Sequence, residues 1–235
     1  AAMDADPAAA AAAAALDDLV SKSEKAPLAT RLTHKVWKVR EAGARAAAAR
    51  YAAASTAEAP PDAPVDGVFD ETVGLLSKMV RDANAAAQLS CIVAVTAFAD
   101  HAPVGLVRRV AAGVGKGLGE KALAGRPVNR AAAVEAVLAF VGAAAGEPVL
   151  DALTAVAFGH RTPKVVAAGI DAATAALAAY GATAVPVEGM AKALPPLLEH
   201  SNAAVRTSAK ALVVELHRWV RDGVRPLLGG AKAVT

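Results

Sequence analysis

The sequence predicts an all-α protein, a solenoid of about six stacked helical hairpins. Three observations carry that prediction. Hydrophobic residues make up 55% of the chain and aromatics only 3%, with alanine dominating the apolar share. Alanine is the strongest helix former and buries little area per residue, so it suits closely packed helices. Alternating runs of β-branched and aromatic residues, the mark of half-buried strands, are absent. Apolar residues recur instead at helical spacing, and polar breaks interrupt them near positions 36, 83, 127, 162 and 201. The breaks lie roughly 47, 44, 35 and 39 residues apart, the period of HEAT-like or armadillo-like two-helix repeats.

The first hairpin is predicted over 26–33 and 38–54, around the basic stretch His34-Lys35-Val36-Trp37-Lys38-Val39-Arg40. The second, 67–81 with 85–99, has one helical face in Phe69, Val73, Leu76 and Val80. In its break, Asp82 and Asn84 supply oxygens that cap exposed helix N–H groups. A third hairpin joins 104–118 to 130–144, and a fourth joins 147–159 to 164–179. Pro163 suits a first helical turn, and Val166, Ile170, Ala173 and Leu177 keep the period. The fifth, 185–199 with 203–218, turns at Ser201-Asn202 and runs through Val205, Ala209, Leu212 and Leu216. On that helix Trp219 is expected in the core, beside Leu216 and Val220. A sixth hairpin is expected from Arg221, and Pro60-Pro61-Asp62-Ala63-Pro64 reads as a long turn between hairpins. Single hairpins cannot bury their apolar faces, whereas stacking makes one continuous core.

The Ala-rich residues 1–25 are expected to be a partly flexible segment ahead of a repeat domain over 26–235 with a truncated last repeat. The first fifteen residues lack the basic start and strongly apolar centre of a signal peptide. The longest uncharged run, Ala83 to Ala99, contains Asn84, Gln88, Ser90 and Thr96 and reads as a buried helix rather than a membrane span. A single cysteine, Cys91, has no intrachain partner, which suits a reducing compartment.

The net charge of +3 is small, but the charges separate by edge. The within-hairpin segments 34–40, 78–84, 116–130, 159–164 and 199–206 hold twelve Lys and Arg against three acids. The between-hairpin segments 55–72, 98–108, 143–151 and 180–192 hold nine acids against two bases. In a stacked array the within-hairpin loops line one edge, which is therefore basic and suited to an acidic macromolecular partner. The residues alone leave two roles for Trp37: a plug at the end of the core, or an amphipathic contact among cations.

The motifs go further. Thr33-His34-Lys35-Val36-Trp37-Lys38-Val39-Arg40, with its His-Lys-x-Trp-Lys-x-Arg pattern, resembles the opening of a TOG domain, and most of all a first TOG domain. TOG domains are the tubulin-binding modules of microtubule polymerases. Asp82-Ala83-Asn84-Ala85-Ala86-Ala87-Gln88-Leu89 and Pro163-Lys164-Val165-Val166-Ala167-Ala168 are similar to later parts of that family. So are Ala204-Val205-Arg206-Thr207-Ser208-Ala209-Lys210 and Glu215-Leu216-His217-Arg218-Trp219-Val220-Arg221-Asp222. The resemblance spans about residues 26–230 and implies a paddle of six HEAT repeats that binds curved αβ-tubulin and promotes microtubule plus-end growth. It also implies a cytoplasmic setting on the cytoskeleton, at microtubules, spindle and microtubule-organising centre.

By resemblance Trp37 meets β-tubulin, supported by Lys38, and Arg206 meets α-tubulin. Asp82 and Asn84 stand in the second loop, Arg126 and Arg130 in the third, and Arg161 and Lys164 in the fourth. The third loop, Gly125-Arg126-Pro127-Val128-Asn129-Arg130, departs from the family's Lys-rich version. The bland alternatives are caps for Asp82 and Asn84, an ion pair with a neighbouring acid for Arg206, and solvated charges for Arg161 and Lys164.

Other signals fail. Gly113-Val114-Gly115-Lys116-Gly117-Leu118-Gly119 lacks the first Gly and the Ser/Thr of a phosphate loop and follows no strand, so small residues for close helix packing explain it. His34, His160 and His200 recur on the loop edge without metal-ligand spacing. No nucleophile motif supports an enzyme, no cofactor is implied, and aromatics for stacking nucleic acid are scarce. The rival function is a general HEAT adaptor for another acidic protein.

Overall fold

The computed structural model describes residues 7–54 and 67–223, and every regular element within them is helical. Twelve α-helices are present among these residues: α1 (Pro7–Ser23), α2 (Leu28–Leu32), α3 (Trp37–Ala53), α4 (Gly67–Thr72), α5 (Leu76–Met79) and α6 (Ala85–His101). They continue with α7 (Val104–Gly117), α8 (Pro127–Phe140), α9 (Gly146–Ala157), α10 (Pro163–Tyr180), α11 (Val187–Leu198) and α12 (Ala203–Val220). The long turn at Pro60–Pro64 and the sixth hairpin beyond residue 223 lie outside the described residues.

Two layers follow from the packing. The second helices of successive hairpins lie side by side, α3 on α6, α6 on α8, α8 on α10 and α10 on α12. The first helices do the same, α5 on α7 and α7 on α9. Between the layers runs one core. Tyr51, Phe69 and Phe98 anchor its first part, with ring centroids 5.4–5.7 Å apart, and the Tyr51 hydroxyl donates to Thr72 Oγ1 at 2.6 Å. Burial pushes both the Tyr51 phenol and the Cys91 thiol up to about 12, so Cys91 is an inert packing residue.

The glycine-rich stretch is a packing seam. A Cβ on Gly115 would stand 2.2 Å from the Val149 carbonyl oxygen of α9, and one on Gly117 2.6 Å from Val80 Cγ2. The run Pro127–Ala157 is long and apolar enough to cross a membrane, but half of that window is buried. Ala144, at φ 57°, breaks the run into α8 and α9.

Four expectations change. Residues 67–81 do not form one helix: a 3-10 turn at Val73–Leu75, around Gly74, separates α4 from α5. Helix α8 starts at Pro127, not 130, because proline suits the first helical position. The Ala-rich segment, expected to be partly flexible, is helical from Pro7 and packs on α3, with Asp17 bridging Lys38 at 3.3 Å. Trp219 is not core: it is 48% exposed, its Nε1 donates to Glu215 Oε1 at 3.1 Å, and its ring lies over Gly181 at the end of α10. Helix α12 is the outermost helix among the described residues, and none of them stacks over that ring.

Candidate protein-binding edge

Because like helices stack on like, the five within-hairpin loops fall on one edge. Each is held by short-range hydrogen bonds. In three of them a histidine Nδ1 accepts the N–H two residues on: His34 from Val36 at 3.1 Å, His160 from Thr162 at 3.0 Å and His200 from Asn202 at 3.0 Å. The recurring histidines are therefore turn caps. Asn84 and Asn202 cap the helices that follow, Asn84 Oδ1 accepting from Ala86 and Ala87 and Asn202 Oδ1 from Ala204.

The fourth residue of the second helix then clamps the loop from inside. Arg40 Nη1 donates to the His34 and Lys35 carbonyls at 2.8 and 3.0 Å. Arg206 Nη1 does the same to His200 and Ser201 at 2.7 and 2.8 Å, and Arg130 Nη1 reaches the Gly125 carbonyl at 3.1 Å. In α6 the position is Gln88, whose Nε2 donates to the Val80 carbonyl at 2.9 Å. Sequence reading named Arg130 and Arg206 but passed over Arg40 and Gln88. The equal spacing of His34 to Arg40 and His200 to Arg206 was the available signal.

Neighbouring loops are tied together. Arg40 forms a two-pronged pair with Asp82, Nη2 to Oδ1 at 2.8 Å and Nε to Oδ2 at 2.5 Å, with side chains 17% and 6% exposed. The Asp82 hydrogen bond holds the Arg40 guanidinium above its usual pKa, against the cost of burial. Arg81 pairs with Glu120 at 2.7 Å. Asn129, fully buried, donates to the Ala85 carbonyl at 2.9 Å and to Gln88 Oε1 at 2.8 Å, joining the second and third loops. Replacing Asn129 with Ala strands Gln88 Oε1, and we expect a loss of about 2 kcal/mol, read as a lower urea midpoint at unchanged m-value.

The structure sorts the sequence-predicted residues. Trp37 opens α3 half-buried, on the loop edge as expected. Arg126, Arg161 and Lys164 are exposed there. Lys38 is engaged with Asp17. Asp82 positions two loops: its oxygens accept from Arg40 and from the Asn84 N–H at 2.8 Å, and its side chain is 6% exposed. Asn84 is a cap whose side-chain oxygen is occupied. Arg206 pairs with no acid among the described residues; it binds carbonyls only. Lys35 and Lys78 border a recess of about 560 Å³ between the first two loops, with His34 and Arg81.

Stacked hairpins with an aligned, clamped loop edge define a HEAT-type α-solenoid. Residues 22–234 match the family described as XMAP215/Dis1/CLASP, TOG domain, and the chain belongs to that family. Among its relatives, protein mini spindles of Drosophila melanogaster is 29% identical over 213 residues, covering 90% of this chain and 10% of the relative. Protein MOR1 of Oryza sativa subsp. japonica is 33% identical over 213 residues, with the same two coverages of 90% and 10%. The chain thus spans about a tenth of the length of these curated relatives. In fold it is similar to a chain from a structural study of tubulin recruitment and assembly by microtubule polymerases with TOG domain arrays. That match has a TM-score of 0.71 and 18% identity over 86% of this chain and 42% of that one.

Proposed function

We propose that this chain is a tubulin-binding module. It holds the curved αβ-tubulin heterodimer along the five-loop edge and contributes to microtubule plus-end growth as one part of a larger polymerase. It works by binding and catalyses nothing, in the cytoplasm on microtubules, spindle and organising centre. Trp37 meets β-tubulin with desolvated apolar area, Arg206 meets α-tubulin, and Arg126, Arg161 and Lys164 steer the acidic partner between them.

The observation that carries this reading is the contrast between Arg40 and Arg206. Both occupy the same helical position and make the same two carbonyl bonds. Arg40 spends its remaining nitrogens on a carboxylate of the next loop, whereas Arg206 has no such carboxylate among the described residues. A guanidinium fixed by its own loop and open on one side is pre-organised for a partner's carboxylate. Polymerisation follows if the module prefers curved over straight tubulin, since only differential affinity releases a bound subunit into the lattice.

Size-exclusion binding to unpolymerised αβ-tubulin tests the reading. Trp37→Ala is expected to weaken binding about 30-fold, and Trp37→Ala with Arg206→Ala at least 100-fold. A wild-type chain that stays free at micromolar protein and low salt overturns the tubulin assignment. Equal binding by all three keeps tubulin and removes the site.

A further inference from the structure

Arg31 is 8% exposed, and among the described residues no hydrogen bond or ion pair reaches its side chain; Nε is enclosed without a partner. It is the buried cation among the described residues. Its stem is pinned by the approach of α3, where a Cβ on Gly43 would stand 2.9 Å from Arg31 Cβ. Of its nitrogens only Nε is fully enclosed; a guanidinium has no neutral form to retreat to, so its donors stay charged and unpaired by the protein. The side chain lines an open cavity of about 260 Å³ between α1, α2, the first loop and α3. Leu19, Ala26 and Val39 supply apolar wall, while Lys22 and His34 add polar lining. Lys22 is already paired with Asp18 at 2.6 Å. His34 accepts at Nδ1, which leaves Nε2 as the donor of the ring.

We infer that this cavity is an anion site for a carboxylate carried on a short apolar stem, such as an acidic side chain of a bound protein. The guanidinium fork matches a carboxylate, and the apolar walls suit an aliphatic stem better than a fully hydrated inorganic ion. The inference rests on Arg31 and its cavity alone and stands or falls apart from the tubulin reading.

Butyrate, inorganic phosphate and chloride, titrated at matched ionic strength, test it through the Arg31 Nε–H resonance, assigned by its loss in Arg31→Met. Butyrate is expected to shift that resonance saturably, with half-saturation at roughly 1–10 mM, and to raise Tm. Arg31→Met keeps the packed stem, removes the unpaired charge and should lose the butyrate-dependent rise in Tm. If Arg31→Met does not fold, Arg31→Lys serves instead: it keeps the charge, loses the fork and should weaken butyrate about 10-fold. Tighter saturation by phosphate overturns the carboxylate assignment. A linear response to every anion, or an undiminished butyrate response in the variant, overturns the site.

Discussion

Gly115→Ala is expected to cost about 3 kcal/mol of stability and lower Tm by roughly 6–12 °C. The added methyl would stand 2.2 Å from the Val149 carbonyl oxygen, with Val149 C and Cα at 3.0 and 3.2 Å. All three are backbone atoms of α9, so no side-chain rotation relieves the clash and α7 must move away from α9. That movement is felt along the seam, because a Cβ on Gly119, one turn on, would stand 3.1 Å from the Leu153 carbonyl oxygen, and one on Gly117 2.6 Å from Val80 Cγ2. Interiors are close-packed and do not deform in one place only. Gly105→Ala in the same helix is the control: nothing lies within 4 Å of its Cβ position. There the gain in helix propensity should stabilise by about 0.5–1 kcal/mol. Thermal unfolding followed by circular dichroism reads both. A Tm for Gly115→Ala within a degree of wild type would mean that α7 and α9 are not in this register.

What was legible in the sequence follows from range. Helices α6, α10 and α12 stand where local periodicity put them, because an apolar face every three or four residues is a property of one segment. Capping by Asn84 and the packing role of the glycine seam were equally local. What local pattern leaves open involves distant partners. Trp219 has the spacing of a core residue, and only the position of α12 at the end of the described stack leaves it open. Asp82 looks like a cap or an exposed contact until Arg40, forty-two residues earlier, is found against it. Arg31 and Asn129 gave no signal at all. Their meaning lies in what surrounds them, a cavity between α1 and α3 for one and a carbonyl forty-four residues back for the other. Composition fixed which edge is basic, but pairing decides which cations on it are free. Arg81, Lys38 and Arg40 are engaged, whereas Arg206 keeps nitrogens in reserve.

Asp82→Ala therefore separates support from contact. Removing one member of a mostly buried pair leaves the other charge uncompensated, and we expect a loss of about 3 kcal/mol, with Tm lower by roughly 6–12 °C. The Asn84 N–H loses its acceptor in the same step, so the start of α6 loosens with the loop. Well below the unfolding temperature, however, tubulin affinity should fall less than about fivefold, because the Asp82 side chain is only 6% exposed and both oxygens face inward. Arg40→Met on its own should cost about as much stability as Asp82→Ala. The double variant should cost little more than either, a coupling of about 2–3 kcal/mol across the pair. Additive losses would mean that the two side chains do not act as a unit. A loss of tubulin binding as deep as that of Trp37→Ala, in a variant that still unfolds near the wild-type temperature, would make Asp82 a contact in its own right.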